Sequence, residues 1–255
     1  MSSEKKATYD NPVSRVKNST QDFDTSIKNI SLSSGNMFIA KKFAMNRTEK
    51  SMLARHISDN YIEDFSSIII DAGSTQQLII EEIMKDHSYL SILTNNMTAF
   101  RLNSGLQIER NSHEFILTGG KYVPRYDALL GRETINSFDS FNPNTLIIGV
   151  SGFSSQHGLH CHGNDEVPVK SFLFTKNVNS LIIPLDYSKL GRFDSYVFGP
   201  INDLKDIYPL TYTIIICPPA RSVNISTSDF KKEIKTFESR IKNIESIGLN
   251  LDILN

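Results

Sequence analysis

Ser67-Ile68-Ile69-Ile70-Asp71-Ala72-Gly73-Ser74-Thr75-Gln76-Gln77-Leu78-Ile79-Ile80-Glu81-Glu82-Ile83 is the stretch whose reading decides the fold. Ile68–Ile70 is a short apolar run that reads as a buried strand, and the residues from Gln77 onward have helical periodicity. Between them lies a Gly/Ser/Thr turn. A strand, such a turn and a helix open a βαβ unit. The turn also sets free backbone N–H groups and two hydroxyls at a helix N-terminus, where orphan donors and the helix dipole both favour an anion. The plainer alternative is a βα turn in which Ser74 or Thr75 serves only as N-cap.

Working outward, Thr48–Tyr61 has Met52, Leu53, His56, Ile57 and Tyr61 at helical spacing. Further strands are expected at Leu90–Leu93, Glu114–Leu117, Thr145–Gly149 and Ser180–Leu185. Helices are expected between them at Gln77–Lys85, Met97–Leu102, Gly131–Phe138 and Val167–Lys176. Such alternation predicts an α/β fold: a mainly parallel sheet with helices on both faces, plus a small β-rich insertion near residues 115–160. Met37–Ala40 reads as one more short strand. Tyr212–Cys217 is another, stopped by Pro218-Pro219. Phe230, Ile234, Phe237, Ile241 and Ile244 then form the apolar stripe of an amphipathic helix, more simply a packing face than a coiled-coil seam. Gly248 is expected to end that helix, before a last strand at Leu249–Leu254.

Composition excludes several classes. The chain has 255 residues and a formal net charge of −1, so no global basic footprint for nucleic acid. Cys161 and Cys217 form no C-x-x-C pair, which points to a reducing, cytoplasmic setting rather than a disulfide framework. No run approaches the ~18 apolar residues of a membrane span, and the polar start has no signal-peptide core. Residues 1–30 are polar and weakly periodic and are expected to be a flexible arm. Residues 31–255 are expected to form the α/β domain.

Taken in order, several motifs resemble one family. They are Glu49-Lys50 before a helix, Asp71-Ala72-Gly73-Ser74-Thr75, Leu93-Thr94-Asn95-Asn96, Leu117-Thr118-Gly119-Gly120 and Gly131. They continue with Ile148-Gly149-Val150-Ser151-Gly152, Gly158-Leu159, Asn164-Asp165-Glu166 with Lys170, and Asp186-Tyr187-Ser188-Lys189-Leu190-Gly191. From about residue 45 to 255 the chain resembles the C-terminal effector domain of DeoR-type transcriptional regulators. That domain shares a fold group with ribose-5-phosphate isomerase and the CoA transferases. Ser31–Arg47 sits where the family's linker would be. The residues ahead of it lack the pattern of a three-helix DNA-binding unit, so DNA is expected only through a partner chain.

The resemblance implies a site for a phosphorylated sugar or similar small anion. It would be built from Asp71, Gly73, Ser74 and Thr75; from Thr94, Asn95 and Asn96; and from Gly119, Gly120 and Gly152. Asn side chains can both donate and accept toward sugar hydroxyls, and paired glycines let backbone approach a ligand. All sit at strand C-termini, where open α/β sheets bind ligands. Asp186 and Lys189 would add a cationic contact, although Lys189 can equally serve as a salt-bridge partner. Glu166 and Lys170 join the site by the same resemblance. By spacing alone they are an i,i+4 surface pair. His157, His160, Cys161 and His162 fit no standard zinc spacing and read as a loop, over the site or simply on the surface.

Three functions stay open from the residues. The first is a non-catalytic sensor, expected to form a homo-oligomer and to need no cofactor or metal. The second is a sugar-phosphate isomerase or transferase of the same fold group. The third is a scaffold that has lost its ligand. The absence of an evident nucleophile–base pair favours the sensor.

Overall fold

The computed structural model describes residues 37–103, 112–200, 203, 211–221, 225–247 and 249–255. The expected arm over 1–30 and the helix stop at Gly248 lie outside them. Seven strands form one wholly parallel sheet: β1 Ser67–Ile70, β2 Ser91–Thr94, β3 Glu114–Leu117, β6 Thr145–Ile147, β9 Ser180–Asp186, β11 Thr211–Cys217 and β12 Asn250–Ile253. Their spatial order is β12-β11-β9-β6-β1-β2-β3. The chain therefore runs outward from β1 in one direction through β2 and β3. It then returns to the other side of β1 and runs outward again from β6. The crevice between the carboxyl ends of β1 and β6 is the topological switch point of the sheet, the usual place for a ligand in this architecture.

Alternation within the strands builds two cores. Ile69, Leu93, Leu146, Ile148, Leu181 and Ile183 face one side. Ile68, Ile70, Ile92, Ile147, Ile182 and Ile215 face the other. Helices α2 (Arg47–Tyr61) and α3 (Ser74–Asp86) cover the second face with Leu53, Ile57, Ile79, Ile80 and Ile83, all fully buried. Burying each such side chain contributes about 1.5–3 kcal/mol. The first face is covered by α5 (Arg132–Ser140), α6 (Val167–Thr175) and α7 (Thr227–Glu245), through Phe138, Leu173, Phe237 and Ile241. The stripe on α7 is thus a packing face on the parent domain. A further helix, α4 (Met97–Asn103), follows β2.

Two departures from the sequence reading bear on the site. Met37–Ala40 is not a strand but the start of a helix, α1 (Met37–Ala44). Ile39 and the buried Phe43 lie four apart on one face, and a four-residue apolar run does not by itself distinguish strand from helix. The His157–His162 segment is not a loop. Gly158–Cys161 is a buried strand, β8, paired antiparallel with β7 (Gly152–Ser154) and β10 (Tyr196–Pro200). Leu159 and Cys161 supply its inward face. Together with the hairpin β4 (Lys121–Val123) and β5 (Ala128–Leu130), this places small antiparallel sheets in the β-rich insertion, the last strand reaching residue 200.

Candidate functional site

A cavity of about 410 Å³ opens at the switch point. Its walls come from the turns after β1 and β6, from the end of β9, from α6, and from the α1–α2 corner. At its floor Lys170 is 4% exposed and donates to the Asp71 carboxylate and, at 2.7 Å, to the Gly149 carbonyl. Glu166 lies 4.0 Å from the same ammonium. Burial works against the Lys170 charge, but the Asp71 and Glu166 carboxylates outweigh it and hold the ammonium above its ordinary range. The Glu166–Lys170 pair is therefore not a solvated surface pair: its lysine turns inward and ties α6 to β1 and β6.

Above this floor the walls are cationic. Lys41, Lys42, Lys50, Lys170, Lys189 and Arg192 line them with the carboxylates of Glu166 and Asp186, and Asp71 pairs with Lys170 from behind, so six cationic side chains meet three carboxylates in a chain of net charge −1. Lys189 is 3.7 Å from Asp186. Burial lowers its pKa, and the neighbouring Lys170 and Arg192 add to that. Lys50 is 4% exposed, and burial together with Lys189 lowers it to about 7. Lys42 is lowered to about 8, first by burial. Asp186 is held in place by Asn46, whose Nδ2 donates to it at 2.8 Å, and by the Ser188 hydroxyl at 2.5 Å. Burial pushes the Asp186 carboxyl upward, yet Lys189, Ser188 and Lys50 prevail and keep it below the ordinary range. Asn46 itself is left-handed, with φ 51° and ψ 41°, a conformation asparagine tolerates better than most residues.

The N-terminus of α3 lines the same cavity. Gly73 is its N-cap, and no side chain caps it. Thr75 lines the cavity, is 1% exposed, and its hydroxyl has no hydrogen-bond partner. Gln76 fills the gap between two glycines. A Cβ on Gly73 would overlap its Oε1, and one on Gly149 would come within 2.9 Å of the same atom.

Of the residues expected from sequence, Gly73, Ser74, Thr75, Glu166, Lys170, Asp186 and Lys189 line the cavity. Asp71 lies behind it through Lys170. Asn96 donates to the Gly73 carbonyl at 3.1 Å and so shapes the turn, while bordering a small adjoining pocket. Thr94 accepts from the Asn96 N–H, and Asn95 donates to the Leu129 carbonyl at 3.0 Å. Neither is among the cavity's lining residues. Gly119 and Gly120 pack on α5, where a Cβ at Gly120 would overlap the Thr134 hydroxyl. Gly152 also lies outside the lining, but it gives room for the Arg192 carbonyl, which a Cβ would overlap. His162 lines the cavity and pairs with Asp194 at 2.5 Å, whereas His157 and His160 pack with Phe193. Among the described residues no three His, Cys, Asp or Glu side chains gather as metal ligands would. Sequence reasoning missed Lys42, Lys50, Asn46, Gln76 and Arg192; only the Glu49-Lys50 motif carried a signal.

A family model described as the DeoR C terminal sensor domain matches residues 45–208. The chain belongs to that family. The glycerol-3-phosphate regulon repressor of Escherichia coli (strain K12) is 27% identical to this sensor domain over 160 residues, covering 63% of the chain and 61% of the repressor. The HTH-type transcriptional regulator IolR of Bacillus subtilis is 24% identical over 159 residues, covering 62% and 61%. The chain thus spans about six-tenths of the length of these curated relatives. Among solved structures, ribose 5-phosphate isomerase A from Methanocaldococcus jannaschii aligns with 56% of this chain and 54% of its own, at a TM-score of 0.38 and 14% identity. No helix among the described residues is long and apolar enough to cross a membrane.

Proposed function

We propose that this sensor domain binds a small phosphorylated polyol or sugar in the switch-point cavity and does not transform it, as the ligand-reading part of a transcription regulator working in the cytoplasm as a homo-oligomer. The observation that carries the reading is the meeting of an uncapped helix N-terminus, Gly73–Thr75, with a wall on which cationic side chains outnumber carboxylates. The name of the Escherichia coli relative, a glycerol-3-phosphate regulon repressor, supports the ligand class. The chemistry supports binding without turnover. Asp71 and Lys170 are engaged with each other, and burial pushes the Cys161 thiol up to about 12, far from a reactive thiolate. Cys161 and Cys217 are free and buried, which fits a reducing compartment.

The test is calorimetry and thermal unfolding with glycerol 3-phosphate and a panel of pentose and hexose phosphates, each beside its unphosphorylated parent. A phosphorylated ligand at 100 times its Kd stabilises the fold by about 2.7 kcal/mol, and the parent does not. A hydrogen bond to a charged group contributes roughly 1.5–3 kcal/mol, so Lys189→Ala weakens binding about tenfold or more. Equal response to parent and phosphate, or turnover of ribose 5-phosphate, overturns the proposal.

A further inference from the structure

Lys50 occupies an unusual position for a buried cation. Its ammonium donates to a main-chain carbonyl, that of Lys42 in the last turn of α1, and among the described residues no carboxylate reaches ion-pairing distance of it. Buried charges are ordinarily paired, because an unpaired one carries its full desolvation penalty. Lys170 obeys that rule through Asp71, and Lys189 through Asp186. Lys50 feels Asp186 only from beyond ion-pairing distance, and it lines the cavity. A second unsatisfied group, the buried Thr75 hydroxyl, stands on a different element, at the start of α3. The cavity therefore holds two kinds of receptor for negative charge on two elements, one a helix N-terminus with its hydroxyl, the other a lysine without an ion-pair partner among the described residues.

The charge count agrees. A phosphate monoester carries about −1.5 to −2 at neutral pH. Against walls where six cationic side chains meet three carboxylates, a single phosphate still leaves part of the excess uncompensated. The lowered pKa values of Lys42, Lys50 and Lys189 have burial as their largest cause, with repulsion from neighbouring cations adding to it. An anion with a second acidic group would relieve both.

We propose that the ligand of this cavity carries two anionic groups, a phosphate bound at the Gly73–Thr75 turn and a second acid, carboxylate or phosphate, bound by Lys50. The inference rests on the proposed phosphate-binding function and narrows it from any sugar phosphate to phosphorylated sugar acids and bisphosphates. The cavity volume, about 410 Å³, suits a small ligand of that kind.

The experiment compares three six-carbon ligands by titration calorimetry on the full chain: a hexose 6-phosphate, a hexose 1,6-bisphosphate and a 6-phosphoaldonate. The expected result is that at least one of the two doubly acidic ligands binds tenfold or more tighter than the monophosphate, with a steeper loss of affinity as salt is raised. In Lys50→Gln that advantage collapses to within about twofold, the doubly acidic ligands losing far more affinity than the monophosphate. Thr75→Val weakens all three. Lys50→Gln removes an unpaired buried charge, so the variant folds at least as stably as the parent, which thermal unfolding verifies. A monophosphate that binds as tightly as both doubly acidic ligands overturns the inference while leaving the phosphate site standing. Equal loss for all three ligands in Lys50→Gln does the same, because Lys50 would then hold the common phosphate. If none of the three binds, nor inorganic phosphate, this inference and the proposed function fall together.

Discussion

The side chain of Asn46 donates a 2.8 Å hydrogen bond to Asp186, clasping the α1–α2 corner to the end of β9 across 140 positions of sequence. The same amide reaches the Ser188 hydroxyl at 2.8 Å. Asn46 is held in a left-handed conformation.

Asn46→Ala therefore loses a hydrogen bond to a carboxylate and retains an unfavourable backbone geometry. The expected cost is about 2–4 kcal/mol from the two effects together. Asn46→Gly loses the same bonds but accepts the backbone freely, so it is the milder change. Urea unfolding of both variants decides this. A glycine variant less stable than the alanine one would mean that the left-handed geometry carries no strain.

The Asp71–Lys170 pair makes a different prediction. Removing one member strands the other as a buried charge, so Asp71→Asn or Lys170→Met each costs about 3–5 kcal/mol. The double variant Asp71→Asn/Lys170→Met costs much less than the two together. Additive losses in a double-mutant cycle would show that the two groups do not act as a pair.

The lysine cluster sets a pH dependence. Lys50 in the folded chain titrates near 7 and Lys42 near 8, both far below the ordinary 10.5, so the unfolded chain binds more protons between those values and 10.5. Stability of the ligand-free domain from these groups therefore rises with pH through that window, and below pH 7 their full penalty is present. The groups facing Lys50 are Lys42, Arg47, Asp186 and Lys189. A bound anion favours the charged amines, so ligand binding at pH 7.5–8.5 takes up protons and weakens as pH rises. Calorimetry in buffers of differing ionisation enthalpy reads the proton number directly. Proton release in that range would contradict it, and Lys50→Gln should reduce the uptake.

Gly73 and Gln76 are expected to compensate each other. A Cβ at Gly73 overlaps Gln76 Oε1, so Gly73→Ala destabilises by about 1–3 kcal/mol through overpacking and disturbs the anion turn. Shortening the neighbour in Gly73→Ala/Gln76→Ala relieves the overlap and recovers part of the stability, while the strain of a side chain at φ 157° remains. If it recovers none, the glycine is required for its backbone geometry rather than for the space that Gln76 occupies.

Much of the architecture was legible in the sequence because the signals were local. Isoleucine runs alternating with helical stripes define a parallel sheet, and turns at strand ends must gather at one edge. That is why Gly73 and Lys189, more than a hundred positions apart, lie around one cavity. The wall from α1 and α2 was not legible. Lys42, Asn46 and Lys50 reach the cavity through the packing of one helix corner against β9, which no periodicity announces. Met37–Ala40 misled because four apolar residues satisfy both a strand and a helical face. Lys170 misled because i,i+4 spacing to Glu166 is the same whether the helix face is wet or buried. The histidine-rich segment misled because its polar residues obscured the Leu159 and Cys161 alternation of a strand.

Because all seven strands of the main sheet run the same way, the turns entering them gather at the edge away from the cavity. The turns entering β1, β2, β6 and β9 contribute nothing to the cavity lining, and two of them present Phe65 and Tyr89 as an exposed stacked pair with ring centroids 4.9 Å apart. A fluorophore or surface tether attached there would sit a full strand length away from the lysines. Binding could then be followed on an immobilised or labelled protein without the reporter competing for the site.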